Sequence, residues 1–174
     1  MQRYFFLEQD RALRDAVCAE DADLKFGARK IFLPEDRDVL NANPVFYLKG
    51  SGETFPDLYQ SPFLMVSRKV EQVFSMYEQE MEFGSAVLID TSAKRSVRYY
   101  LPLIPRKDVL WDKAERFPDG REKQVILDKS KIGHCHIFYL ADSFTRRPVV
   151  SLAAAESLLR RNVTGIKFEE AEMI

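Results

Sequence analysis

The chain has 174 residues, of which 46% are hydrophobic and 12% aromatic. That composition allows a substantial core and excludes a disordered chain. The 26 Lys and Arg side chains nearly balance the 27 Asp and Glu side chains, for a net charge of -1. Because these charges are spread along the sequence, the basic stripe that binding to nucleic acid requires is missing.

Three features favour a soluble cytoplasmic protein without a membrane partner. No stretch approaches the roughly 18 consecutive apolar residues of a membrane span. The beginning, MQRYFFLEQD, is too short and turns acidic too early for a secretory signal. Cys18 and Cys135 lie far apart and outside any metal-ligand spacing, so each is interpreted as a reduced, buried structural thiol.

In the first sixty residues the sequence predicts only short elements. RYFFLEQD is typical of a strand, with Tyr4 to Leu7 as its apolar part. Asp10 then predicts the cap of a short helix, in which Leu13 and Val17 share a face at spacing four. Residues 26–61 are interrupted by prolines and glycines, and between them we predict a helical start at EDRD and a strand at VFYLK.

The next stretch predicts a helix followed by a hairpin. PFLMV leads into Ser67 and then RKVEQVFSMYEQ, whose apolar residues recur at helical spacing. FGSAVLID and SVRYYLPLI follow as two antiparallel strands around the turn TSAKR. Pro102 indicates that the second strand ends there or reaches the edge of the sheet.

The last third begins with a polar segment, residues 105–122, that contains a turn. KQVILD and HCHIFYLA are predicted strands joined by a KSKIG turn, and the final unit is PVVS, a helix and VTGIKFEE. These elements predict an α+β fold with a largely antiparallel or mixed sheet and two or three packed helices. We expect a single domain over 1–174, in which 1–60 is a loosely packed N-terminal part and 61–174 the remainder.

Ser67 and Ser151 each follow a valine and open an apolar, helical stretch. A serine nucleophile at a strand-to-helix elbow needs small residues on both sides, as in G-x-S-x-G. Ser151 instead has Val149 and Ala153 at those positions, and Ser67 has Met65 and Lys69. We therefore interpret both serines as helix N-caps and predict no catalytic residues.

The HCH stretch is the candidate for a metal. In a strand, His134 and His136 point to the same side and could both reach one zinc ion, while Cys135 faces away. These two histidines are the only ones in the chain, so other ligands would have to come from elsewhere. We predict no metal and no cofactor. A small enzyme, or a metal-binding or ligand-binding protein with its site near His134 and His136, stays the alternative.

Four segments resemble a family of bacterial immunity proteins, the eleventh in the polymorphic-toxin nomenclature. They are FLMVSRKVEQVF, YYLPLI, LDKSKI followed by HIFYL, and the second V-S helix with its TGIKFEE ending. The resemblance covers about two thirds of the chain, from about Gln60 to the end. It implies an antidote that binds a toxin domain encoded beside it, with no catalytic residues. The aspartate expected after the family's tyrosine-rich strand corresponds to Asp112.

Five residues are the predicted contacts with such a toxin. Trp111, the single tryptophan, lies among charges beside Asp112 and is either an anchor for a partner or a cover for the edge of the core. Glu78, Glu80 and Glu82 form an acidic patch after the first long helix, suited to a basic toxin. The expected mechanism is occlusion of the toxin's active site.

Overall fold

The computed structural model describes residues 2–19, 28–48 and 52–174. Within them it has an α+β fold made mostly of sheet, and the predicted fold class is confirmed. The strands are β1 Tyr4–Gln9, β2 Val45–Leu48, β3 Leu58–Tyr59, β4 Met65–Val66, β5 Phe83–Asp90, β6 Arg95–Pro102, β7 Arg106–Lys107, β8 Ile126–Leu127, β9 Ile137–Leu140, β10 Val149–Ser151, β11 Ile166–Glu170 and β12 Glu172–Met173. The helices are α1 Arg68–Tyr77, α2 Lys129–Ile132 and α3 Leu152–Arg160, with a 3-10 helix at Arg37–Asn41.

The first sheet has five strands in the order β11-β1-β10-β9-β7. Adjacent strands in this sheet are antiparallel, except for β7 and β9, which are parallel. The N-terminal strand β1 lies inside this sheet, where Tyr4 pairs with Ser151 and Phe5 with Glu170. Strands from the two ends of the chain are therefore direct neighbours.

The second sheet has the order β2-β5-β6-β4-β3. Its centre is the predicted hairpin, in which β5 and β6 pair from Phe83 with Pro102 to Asp90 with Arg95. Pro102 is the last residue of β6, as expected of a residue without a backbone N–H. Strand β2 joins β5 in parallel, and β8 and β12 form a separate parallel pair.

A shared hydrophobic cluster joins the two sheets. Leu7 and Val150 from the first sheet and Val66 from the second are buried in it together with Val73 of α1 and Leu158 of α3. All five are fully buried. Since burying one such side chain contributes about 1.5–3 kcal/mol, this cluster stabilises both sheets at once.

Several local predictions were wrong. No helix forms after Asp10; its Oδ1 accepts a hydrogen bond from the N–H of Ala12 at 2.9 Å and closes a turn instead. The expected KSKIG turn contains the one-turn helix α2, which Asp128 caps by accepting from the N–H of Ser130. Strand β9 begins only at Ile137, so His134 and His136 precede it. Lys49 at the end of VFYLK lies outside the described residues.

In the part of the chain that the structure describes, every helix is too short or too polar to cross a membrane.

Candidate protein-binding site

The segment between α1 and β5 turns back and forms the wall of a cavity. Helix α1 ends where the N–H of Glu78 donates to the carbonyl of Phe74, and the N–H of Met81 then donates to the carbonyl of Glu78. The cavity has a volume of about 290 Å³. Its lining residues, which we call the acidic pocket, are Pro34, Glu78, Glu80, Met81, Glu82, Leu103 and Pro105.

Glu78 is held by the backbone of the first sheet. Its Oε1 accepts hydrogen bonds from the N–H of His136 at 2.7 Å and from the N–H of Ile137 at 3.1 Å. Both donors are neutral backbone groups, so they fix the position of the carboxylate without an ion pair. Glu78 thus ties the end of α1 to the start of β9.

Glu82 and Glu80 differ in their partners. Arg37 donates to both oxygens of Glu82, at 2.7 and 2.8 Å, which is the bidentate geometry that fixes a carboxylate most firmly. Glu80 is exposed, and its carboxylate makes no hydrogen bond or ion pair with any described residue. The pocket therefore combines two fixed glutamates with one that is available to a partner.

Trp111 and Asp112 are not among the residues that line the acidic pocket. The Trp111 side chain is half-buried, and its backbone N–H donates to the carbonyl of Ile126. The exposed Asp112 carboxylate accepts a hydrogen bond from Lys131 at 2.6 Å, and this contact raises the pKa of Lys131. The structure thus brings the three predicted glutamates together in one pocket. The other two predicted contact residues, Trp111 and Asp112, lie outside that pocket.

His136 and Ser151 lie side by side, which sequence reasoning missed. The distance from His136 Nδ1 to Ser151 Oγ is 2.8 Å, and Ser151 Oγ also accepts the N–H of Ala154 at 3.3 Å. Ser151 is therefore a helix cap, as predicted, and its own proton is free to bond to the imidazole. The two residues come from neighbouring strand ends, and no local sequence pattern signals such a pairing.

Ser67 occupies the N-cap position of α1, as predicted, but the predicted hydrogen bond from its side chain is absent. Its hydroxyl makes no capping hydrogen bond to α1 and is buried without a partner among the described residues. Its backbone N–H donates to the carbonyl of Asp57 at 2.9 Å. The backbone of Ser67 begins the helix correctly, but the side chain adds no hydrogen bond.

The two cysteines also differ. Cys18 is exposed, contrary to expectation, whereas Cys135 is half-buried. Burial raises the pKa of the Cys135 thiol, and the neighbouring charge of Glu78 raises it further. Cys135 is therefore kept in its neutral, less reactive form.

His134 is exposed and lies in the turn after α2, whereas His136 contacts Ser151 and the ring of Tyr77. Among the described residues, no group of three or more His, Cys, Asp and Glu side chains is arranged to hold a metal ion.

Fold and site together define an α+β protein with a preorganised acidic pocket. Comparison with protein-family models and with curated proteins finds no match to this chain.

Proposed function

We propose that the chain is an antidote: it binds a cognate bacterial toxin domain encoded beside it and neutralises that domain by occluding its active site. The observation that carries the proposal is the acidic pocket, a concave site with fixed carboxylates and one available carboxylate. The resemblance of four sequence segments to an immunity-protein family supports it independently. An antidote protects the cell that makes the toxin, so we place its action in the cytoplasm.

The chemistry of the pocket favours a cationic side chain of the partner. Glu78, Glu80 and Glu82 supply negative charge, and Arg37 neutralises only Glu82. Two of the three carboxylates therefore keep an uncompensated charge. A lysine or arginine of the toxin that enters the pocket would find both an opposite charge and hydrogen-bond acceptors.

The apolar walls of the pocket suit the rest of such a side chain. Met81, Leu103, Pro34 and Pro105 are the apolar residues of the lining. The methylene stem of a lysine or arginine packs against surface of this kind while its charged end reaches the carboxylates. Because Glu78 and Glu82 are already fixed, little side-chain entropy is lost when the partner binds.

Trp111 and Asp112 are the second proposed contact, carried by the family resemblance. The exposed Asp112 pairs with Lys131 at 2.6 Å through one oxygen, so its second oxygen is available to a partner. A stable interface of standard size buries about 1,200–2,000 Å² in total, which is more than one pocket provides.

Replacement of Glu80 tests the pocket directly. Since the Glu80 carboxylate has no partner among the described residues, E80Q removes charge without breaking a hydrogen bond inside the protein. We expect E80Q to weaken toxin binding about tenfold, and E80K to weaken it more than about a hundredfold because like charges would then meet. Calorimetric titration with the toxin domain measures both effects.

The matched control is E53Q, since Glu53 is also exposed and its carboxylate has no hydrogen bond or ion pair to the described residues. It should leave the affinity unchanged. If E80K binds the toxin as tightly as E53Q does, the acidic pocket is not part of the interface.

The contact between His136 and Ser151 favours a second candidate, a small acyl-transfer enzyme. A serine hydroxyl within hydrogen-bond distance of an imidazole is the starting arrangement of nucleophilic catalysis, and both residues line a cavity of about 260 Å³. However, Ser151 Oγ is also engaged by the N–H of Ala154. If the chain is such an enzyme, a serine-reactive fluorophosphonate should label Ser151, and H136A should abolish the labelling. The antidote proposal does not require this labelling.

A further inference from the structure

A second cavity lies beside the acidic pocket and has the opposite charge. Its volume is about 290 Å³, and its charged lining residues, which we call the basic pocket, are Arg29, Lys30, Asp36, Arg106 and Arg146. Leu33 and Arg106 belong to this cavity, whereas their chain neighbours Pro34 and Pro105 line the acidic pocket. The two pockets therefore use adjacent residues of the same two segments, 33–34 and 105–106.

The cations of the basic pocket come from three separate parts of the chain. The segment with Arg29 and Lys30 is anchored where the carbonyl of Lys30 accepts the N–H of Leu64 at 2.8 Å. Arg106 lies on β7 and is in register with Tyr139 of the first sheet. Arg146 belongs to the connection that leads into β10. Their convergence on one cavity is a property of the tertiary fold.

Three of these cations make no ion pair with a described residue. Arg29 is paired with Asp36 at 3.2 Å and with Asp38 at 2.7 Å. The side chains of Lys30, Arg106 and Arg146, in contrast, make no hydrogen bond or ion pair with a described residue. Like charges that share a small cavity repel one another. A bound anion would attract each of these cations and so offset their mutual repulsion.

We propose that the basic pocket binds the phosphoryl group of a small phosphorylated molecule. Four cations and one carboxylate give the lining a formal charge of 4 - 1 = +3. A phosphoryl group carries about -1.5 to -2 and offers three acceptor oxygens, whereas a single carboxylate carries one charge. The guanidinium forks of Arg106 and Arg146 match phosphoryl oxygens in geometry as well as charge.

This site is separate from the antidote proposal, since it uses different side chains and a different class of ligand. Each proposal can fail without the other, because the first is tested with the toxin domain and the second with small anions.

The test is a calorimetric titration of the full chain with inorganic pyrophosphate at constant ionic strength. We expect saturable binding, weakened at least about tenfold in the double variant R106Q/R146Q, because two guanidinium contacts to phosphoryl oxygens are lost. R98Q is the matched control: Arg98 is exposed on β6, has no partner among the described residues and lies outside the basic pocket. It should bind pyrophosphate like the unchanged chain.

A parallel titration with adenosine diphosphate distinguishes the source of the phosphoryl group. Tighter binding of the nucleotide than of pyrophosphate would support a nucleotide-borne group, and equal binding would support recognition of the phosphoryl group alone. Three results would overturn the proposal: no saturable heat with either compound, equal weakening in R98Q and the double variant, or binding of the dicarboxylate succinate as tight as that of pyrophosphate.

Discussion

Ser67 and Ser151 stand at the same place in two units of the chain, each between a valine and a helix. The Ser151 hydroxyl accepts the N–H of Ala154 and contacts His136, so it is fully used. The Ser67 hydroxyl is buried without a partner among the described residues. At the scale of single residues, the same Val-Ser pair before a helix therefore leads to different energetic contributions.

Replacing each serine by alanine should separate these contributions. S151A loses a helix cap and should lower the free energy of unfolding by about 1 kcal/mol. S67A removes an unpaired buried hydroxyl and should leave the free energy of unfolding unchanged or raise it slightly. Urea denaturation followed by circular dichroism measures both values. Equal destabilisation by S67A and S151A would contradict this assignment of the two hydroxyls.

The β5–β6 hairpin is stabilised at its turn by one buried carboxylate. Asp90 accepts hydrogen bonds from the hydroxyl of Ser92 at 2.7 Å and from the N–H groups of Ser92 and Ala93 at 3.1 Å. Arg95 Nη2 lies 3.2 Å from Asp90 Oδ2, and the guanidinium also donates to the carbonyls of Gly52 and Glu53. The Ser92 hydroxyl first, and then the Ala93 N–H and Arg95, lower the pKa of Asp90.

This lowered pKa predicts how the hairpin responds to pH. Because the pKa of Asp90 is lower in the folded chain than in the unfolded one, its contribution is present above about pH 4, the ordinary aspartate value. The contribution is lost as the pH falls through the folded value. D90N should therefore have a lower urea midpoint than the unchanged chain at pH 7, and the difference should shrink below about pH 4.

The control for that prediction is D108N, since Asp108 is exposed and has no hydrogen bond or ion pair with the described residues. Its urea midpoint should follow that of the unchanged chain at both pH values. A D90N midpoint that stays equally depressed at pH 7 and pH 3 would show that the charge of Asp90 is irrelevant.

Elements with a long periodic pattern are the ones that the sequence predicts well. Val70, Val73 and Phe74 recur at helical spacing, and all three are buried on one face of α1. The helix expected at Asp10 rested on only two apolar residues, Leu13 and Val17. With so few apolar contacts, the entropy cost of forming the first helical turn is not offset. The hydrogen bond from Ala12 to the Asp10 side chain closes a turn instead.

The candidate site shows the same division between local and distant information. Glu78, Glu80 and Glu82 are close in sequence, so an acidic patch was predictable. The fixed positions of Glu78 and Glu82 depend on the backbone of His136 and on Arg37, which come from distant parts of the chain. No spacing rule connects these segments, because strand order brings them together.

At the scale of the whole molecule, the two sheets share a core and present two oppositely charged pockets. Leu7 and Val150 of the first sheet pack in the same cluster as Val66 of the second. Asp57, which is buried, adds a polar tie between them, since its Oδ2 accepts the N–H of Thr164 at 2.6 Å. We expect this shared framework to hold the acidic pocket in place, which would favour the proposed interface.

The most direct test of the antidote proposal is calorimetric titration of the full chain with the toxin domain encoded beside it, at two salt concentrations. We predict nanomolar binding that weakens as salt rises, because salt screens the attraction between the acidic pocket and a basic toxin surface. The absence of detectable binding at both salt concentrations would contradict the proposal.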